Sequence, residues 1–370
     1  MLDAGMGICY QPRVRSKAME AAKLVVVKLG TGILTDRRNQ LAAARLKAIV
    51  RQVAHARKAG REVVLVSSGA VGAGMESLGY AKRPTRLEEL QACAAVGQSR
   101  LMAAYQEYFA ARDLQCAQVL LTHADLQDHD RHLNARNTLM ALLARGVVPV
   151  INENDAVTFT ELTVGDNDKL SALVAALLPA DLLVLLTSAD GLVRNFGKSN
   201  ARLVPAVHKI DDGIEKLARG TQSATSIGGM ASKLAAVKVA VRTGIPAVIA
   251  NGRASGVLRK VLEGEAVGTF FEAGPGRLKG RKRWIAFFHH PQGALVVDEG
   301  AKAAIREGSM SLLAPGVAHC EGDFEVGDVV KICDRNGTEF AQGVTKCSRA
   351  ELEAGAVIKV VVHRDHLVVL

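Results

Sequence analysis

Short apolar runs rich in β-branched residues recur at positions 24–28, 62–66, 117–121, 147–151, 182–186 and 247–249, and longer segments of helical spacing lie between them at 41–59, 87–111, 131–144, 169–178 and 230–243. Runs of this kind read as strands buried on both faces, which need helices above and below them. The alternation predicts an α/β fold, a three-layer α/β/α sandwich with a mostly parallel sheet. A chain with 35 glycines and 4% aromatic residues suits the small-residue turns of such a fold better than a sandwich of large side chains. In open sheets of this type ligands sit at the carboxyl ends of the strands, so chemistry is expected there.

The alternation stops near Phe271, and residues 273–280 (Ala-Gly-Pro-Gly-Arg-Leu-Lys-Gly) read as a turn-rich linker. Beyond it, short alternating segments at 294–297, 329–333 and 358–362 predict a small β-barrel. The expected organisation is an N-terminal extension at 1–22, taken as loose, a large domain at 23–272, the linker, and a small domain at 281–370. Met19 is an alternative start to Met1, because the first strand begins only at Leu24.

A chain that is 49% hydrophobic and 23% charged is globular rather than disordered. Its net charge of +10 is unevenly placed. Residues 1–274 hold 34 Lys+Arg against 25 Asp+Glu, a surplus of 9, and residues 275–370 hold 13 against 12, a surplus of 1. Either the large domain has a solvated basic surface or it takes an anionic substrate, and the small domain gains no support as a strong polyanion binder. Six cysteines without a CxxC pair read as reduced thiols. No secretory apolar run opens the chain and no stretch is long enough to span a membrane, so a cytoplasmic location is expected.

Familiar phosphate-binding signatures fail. Gly191 to Ser199 has one residue too many between its glycines for a P-loop and runs into Asn-Ala-Arg-Leu-Val-Pro, so it reads as an ordinary loop. No GxGxxG, nucleophile elbow or HExxH is present. His129 and His132 lack a third ligand nearby and read as solvated or helix-capping residues.

Four polar segments at strand or helix ends remain. Lys28-Leu-Gly30-Thr31-Gly32 could hold an anion through backbone N–H groups and a lysine, or be a strand ending in a solvated lysine. Ser67-Ser68-Gly69-Ala70 could cap a helix or offer a hydroxyl to a carboxylate. Asn152-Glu-Asn-Asp155 and Gly165-Asp-Asn167-Asp168-Lys169 gather acids and amides at the mouth of a buried strand, beyond what one helix cap needs. Such groups can hold an ammonium ion and orient lysines that receive a phosphoryl group. Ser226-Ile-Gly228-Gly229-Met230-Ala-Ser232-Lys233 places paired glycines and a lysine at a helix start, a plain turn or an anion site.

Taken together, Lys28-Leu-Gly-Thr, Ser67-Ser-Gly-Ala, Ala95-Val-Gly-Gln, Leu133-Asn-Ala-Arg, Ile151-Asn-Glu-Asn-Asp, Val164-Gly-Asp-Asn-Asp and Gly228-Gly-Met-Ala-Ser-Lys resemble the glutamate 5-kinase (gamma-glutamyl kinase) family over residues 24–272. Arg281-Lys-Arg-Trp, Val297-Asp-Glu-Gly-Ala, Ser311 to Gly316 and Val362-His-Arg-Asp resemble the PUA domain of its bacterial members. The resemblance implies the amino-acid kinase fold, which binds ATP without a P-loop. It implies phosphorylation of the gamma-carboxylate of L-glutamate by ATP with Mg²⁺, the first step of proline biosynthesis, inhibited by proline.

By the same resemblance Lys28 and Lys233 contact the transferring phosphoryl group and Asp168 positions them. Ser68, Asp155 and Asn167 hold glutamate. Thr187-Ser188 and the stretch Ile227, Gly228, Gly229, Met230, Ala231, Ser232 and Lys233 line the ATP site. The family usually has Asp where this chain has Ser188, Gly-Thr where it has Ser226-Ile227, and Asp where it has Asn137. The first two departures fall in the nucleotide site. A homo-oligomer and hand-off of the product to glutamyl phosphate reductase are expected, and RNA binding by the PUA domain stays open. The rivals are a relative acting on another carboxylate or on carbamate, and a non-catalytic RNA-binding module.

Overall fold

All six residues of strand β1 (Leu24–Leu29) are buried, as an apolar run covered on both faces requires. The computed structural model describes residues 12–36, 40–157, 166–178, 180–219, 229–274, 282, 285, 291–308, 310–355 and 359–369. The chain divides into two units, Met1–Arg277 and Leu278–Leu370, and the division falls inside the segment 273–280.

In the larger unit β1 runs parallel to β2 (Glu62–Ser67) on one side and to β5 (Leu182–Thr187) on the other. Beyond β2 lie β4 (Val148–Glu153) and β3 (Cys116–Leu121), and beyond β5 lies β9 (Ala247–Asn251), all in parallel. Strand β10 (Thr269–Phe271) pairs antiparallel with β9, and β8 (Ala206–Val207) completes the order β3-β4-β2-β1-β5-β9-β10-β8. The chain builds one side of β1 first and then returns to build the other, so the strand order reverses between β1 and β5. That switch point is where parallel sheets open a crevice for ligands.

The helices of this unit are α1 (Pro12–Ala21), α2 (Thr31–Leu34), α3 (Ala43–Lys58), α4 (Ala70–Ser77), α5 (Leu87–Ala110), α6 (His123–Gln127), α7 (His129–Ala144), α8 (Asp166–Leu177), α9 (Asp212–Arg219), α10 (Met230–Arg242) and α11 (Val257–Leu262). The apolar stripes of α1, α3, α5 and α11 pack on one face of the sheet in a core that includes Val27, Leu65, Tyr105, Val184 and Val248, and a separate cluster that includes Met75 and Cys93 joins α4 to α5. Helices α4 and α5 approach closely because both carry glycine at the crossing. A Cβ on Gly74 would lie 1.8 Å from the Cys93 carbonyl oxygen, and one on Gly97 would lie 1.8 Å from that of Ala70.

Three expectations change. Residues 12–21 are helical rather than loose, because the Met19 side chain is fully buried in the core and Arg15 Nη2 donates to the Val267 carbonyl at 2.6 Å. Residues 1–11 lie outside the described part. His132 is buried rather than solvated, its Nδ1 lying 3.2 Å from the Leu126 carbonyl. The stretch from Gly191 is a two-stranded hairpin, β6 (Val193–Arg194) against β7 (Arg202–Leu203), turned through the left-handed residues Asn195 and Gly197 (φ 53° and 78°).

The smaller unit holds β11 (Gly293–Val297), α12 (Glu299–Gly308), β12 (Leu312–Leu313), β13 (Val317–Gly322), β14 (Val329–Cys333), β15 (Glu339–Thr345), α13 (Arg349–Glu353) and β16 (Val360–Val369). Among the described residues its strands follow the order β12-β16-β15-β14-β11-β13, antiparallel except between β11 and β14, and curl around a core that includes Leu295, Ile332, Phe340 and Val361. Among the described residues no helix is long and apolar enough to cross a membrane.

Candidate active site

Lys28 lies one residue before the end of β1, where its backbone pairs with Val66 of β2 and Leu185 of β5. The strand is buried throughout, so the lysine is held out of water, 7% exposed, rather than reaching solvent. Its ammonium group meets Asp168 of α8, with Nζ 2.6 Å from Oδ1. Lys233, in the first turn of α10, approaches the other carboxylate oxygen at 3.3 Å, and the Ser232 hydroxyl donates to that oxygen at 3.0 Å. Three segments far apart in sequence thus converge on one carboxylate that is 1% exposed.

Two ammonium groups on one carboxylate leave this trio with a net positive charge. Burial pushes the Asp168 carboxyl up, but Lys28 and Lys233 pull it further down, so it titrates below its ordinary 3.8 and is ionised at neutral pH. Burial pulls Lys233 below its ordinary 10.5, Asp168 opposes the shift, and Lys28 adds to it. A partly desolvated positive cluster at a switch point is suited to a phosphoryl group, whose negative charge it can meet without reorganisation. Gly30 follows directly: its N–H donates to the Leu186 carbonyl at 3.2 Å, tying the end of β1 to β5, and a Cβ there would lie 3.5 Å from Lys28 Nζ.

A second, uncharged group lies at the ends of β2 and β4. Ser68 follows β2 and does not cap α4, whose first turn is preceded by Gly69 in the left-handed conformation (φ 103°). Its hydroxyl oxygen instead accepts from Asn167 Nδ2 at 3.0 Å. Asn167 Nδ2 also donates to Asn152 Oδ1 at 3.1 Å, and Asn152 Nδ2 donates to Gln98 Oε1 at 2.9 Å. Asn167 precedes Asp168 on α8, so one helix start serves both groups. Asp155 is half-buried two residues beyond the end of β4.

Of the residues expected at the nucleotide end, Thr187 is buried at the end of β5 and Ser188 is exposed just beyond it. Gly229 precedes α10, whose first turn carries Met230 to Lys233. Ile227 and Gly228 lie outside the described residues.

The amino acid kinase family model matches residues 23–251, and the PUA domain model matches residues 293–367. A glutamate 5-kinase of Moorella thermoacetica is 45% identical over 369 residues, covering 95% of this chain and 98% of that protein. One from an Enterobacter species is 44% identical, covering 95% of this chain and 100% of its own length. One from Salmonella paratyphi B is 46% identical over 330 residues, covering 89% of this chain and 90% of that protein. The chain belongs to the glutamate 5-kinase family. The fold is also found in a carbamate kinase from Giardia lamblia, solved with AMP-PNP, at a TM-score of 0.50 and 19% identity, covering 69% of this chain and 100% of that one.

For this glutamate 5-kinase family member, sequence reasoning left two features of the site unassigned. Arg253, after β9, donates to the Gly32 carbonyl at 3.0 Å and so holds the glycine loop from the far side of β5. Nothing local in Asn251-Gly-Arg253 announces that contact. Gln98 had a signal, being a polar residue on the buried stripe of α5 that includes Ala94, Leu101 and Met102.

Proposed function

We propose that this protein transfers the γ-phosphoryl group of ATP to the side-chain carboxylate of L-glutamate, giving L-glutamyl 5-phosphate. The observation that carries this reading is the buried Lys28–Asp168–Lys233 cluster at the ends of the central strands, beside the neutral group around Ser68 and Asn167.

The acceptor carboxylate is ionised at neutral pH and is itself the nucleophile, so no general base is needed. Transfer then depends on alignment of two anions and on neutralising charge spread over the phosphoryl oxygens. Lys28 and Lys233 supply that charge as points, and Asp168 fixes where their ammonium groups stand. Ser68 donates to a substrate carboxylate, while Asp155 and Asn167 receive its ammonium group. Thr187 and Ser188 with residues 227–233 line the nucleotide side. The chain has Ser188 and Ile227 where the family usually has Asp and Thr, so contacts to the nucleoside are expected to be weaker there. Both oxygens of Asp168 are engaged by ammonium groups, and among the described residues no three His, Cys, Asp or Glu side chains gather as metal ligands. Mg²⁺ brought by the nucleotide would neutralise part of the phosphate charge there.

The product is an acyl phosphate that water hydrolyses readily, which favours closure of the site or direct transfer to glutamyl phosphate reductase. In this reading the protein is a cytoplasmic homo-oligomer that opens proline biosynthesis and is inhibited by proline. The kinase domain spans 23–272 and the PUA domain 281–370, whose near-neutral charge supplies little attraction to RNA. The test is ADP formation with glutamate, N-acetylglutamate, aspartate and carbamate side by side, with and without proline. Turnover with glutamate well above the others supports the reading, and preference for another acceptor refutes it.

A further inference from the structure

The amides beside the site have a defined sense, and one backbone group sets it. The Glu153 N–H can only donate, and it lies 3.0 Å from the Asn152 side chain, so the atom turned toward it is Oδ1. Asn152 Nδ2 then faces the other way, 2.9 Å from Gln98, which must present Oε1. The same Asn152 oxygen lies 3.1 Å from Asn167, which must present Nδ2. That group also reaches the Ser68 oxygen at 3.0 Å. Gln98 Nε2 in turn donates to the exposed amide of Gln118 at 3.2 Å, which can turn either way and sets nothing.

Two consequences follow at the site. Asn167 Oδ1 is turned away from these partners and is enclosed without a hydrogen-bond donor. An enclosed acceptor left unpaired is unfavourable and calls for a donor that arrives with a ligand. Ser68, having accepted a hydrogen bond, keeps its own hydroxyl hydrogen for an acceptor. The pair therefore offers one acceptor and one donor in known places.

We infer that Gln98, 8% exposed on α5, is a positioning residue that holds Asn152 from the side opposite the Glu153 N–H and so keeps the polar groups of the substrate site in place. Resting on the glutamate reading above, it holds Asn152 Nδ2 and thereby keeps Asn167 presenting oxygen to the substrate ammonium. With the Gln98 acceptor gone, Asn152 Nδ2 is enclosed without its partner and the Glu153 N–H alone holds the Asn152 amide, so the Asn152–Asn167 pair is loosened from its place. An Asn167 displaced with Asn152 no longer aims its oxygen at the substrate ammonium, which then loses an acceptor in the bound state.

The experiment compares full-length wild type with Gln98→Met, which keeps the length of the side chain and removes its acceptor, and Gln98→Glu, which keeps an oxygen toward Asn152. Glutamate and ATP saturation, turnover and thermal unfolding are measured, together with competitive inhibition by glutarate, which has both carboxylates of glutamate and no ammonium. Gln98→Met should raise the glutamate KM about 10- to 100-fold, the range expected for an unpaired buried polar group, and leave turnover and ATP saturation nearly unchanged. Gln98→Glu should recover most of that loss, and glutarate inhibition should move by less than about twofold. In an Asn167→Ala background the Gln98→Met effect should vanish, because both act through one contact. An unchanged glutamate KM, or equal weakening of glutamate and glutarate, would overturn the inference; Gln98→Ala carries the same comparison if Gln98→Met does not fold. A wild-type protein without glutamate-dependent turnover would overturn the underlying reading first, before any variant is compared.

Discussion

Around Asp168 the polar groups carry formal charge, each ammonium within 3.3 Å of a carboxylate oxygen, whereas around Ser68, Asn152 and Asn167 they are neutral and joined by hydrogen bonds of 2.9–3.1 Å. Both groups are largely shielded from water, and they start from adjacent residues of one helix, Asn167 and Asp168. Charge acts over distance and in every direction, which suits stabilising a phosphoryl group as its charge redistributes. Amides act only along their bonds, which suits telling one end of a substrate from the other. Division of labour between rate and recognition follows from that difference in physics.

The severest way to break the comparison is to remove the shared carboxylate. Asp168→Ala leaves two buried ammonium groups without it, and loss of one partner from a buried ionic cluster costs about 3–5 kcal/mol. Denaturant unfolding should register that loss together with near-complete loss of turnover. A midpoint equal to wild type would show that mutual neutralisation does not hold the charged half together.

Lys28→Ala and Lys233→Ala should each lower turnover on the order of 100-fold or more while shifting the glutamate KM little, since they act on charge that develops during transfer. Unchanged turnover in either variant would remove that lysine from the rate-determining half. Asp155→Ala should act the other way, weakening glutamate by roughly 2 kcal/mol or more, the lower range for a truncated charge pair, with ATP saturation unmoved. Ser68→Ala should move in the same direction by a smaller amount. A shift in ATP saturation instead would place these residues on the wrong side of the boundary.

Titration sharpens the contrast. The folded value of Asp168 is depressed, so its stability contribution is complete above the ordinary 3.8 and is lost as pH falls through the lower folded value. Lys233 is depressed from 10.5, so between its folded value and 10.5 the unfolded chain binds more protons and stability rises with pH. Across that same alkaline window the ammonium charge disappears, and turnover should fall as stability climbs. A turnover profile flat up to 10.5 would contradict the assignment of Lys233. The smallest effect is expected from truncation after Glu272: every proposed site residue precedes it, so the shortened chain should fold and keep glutamate-dependent turnover. An insoluble or inactive product would show that the smaller unit belongs to the catalytic body.

Much of the larger unit was legible in the chain because strand and helix periodicities are local. The run at 24–28 became β1 with one residue added, and 230–243 became α10 with one removed. The same local view failed for Met19 and His132, whose burial depends on segments that fold over them. Lys28, Asp168 and Lys233 could each be picked out as polar residues at the end of an element, and their family pattern named them. Their meeting at one carboxylate was decided by the sheet order, which sets the end of β1 beside the starts of α8 and α10. The direction of the amides was decided later still. It depends on a backbone N–H of β4, a side chain of α5 and the start of α8 reaching hydrogen-bond distance together, and hydrogen-bond direction between distant segments leaves no periodic trace in a sequence.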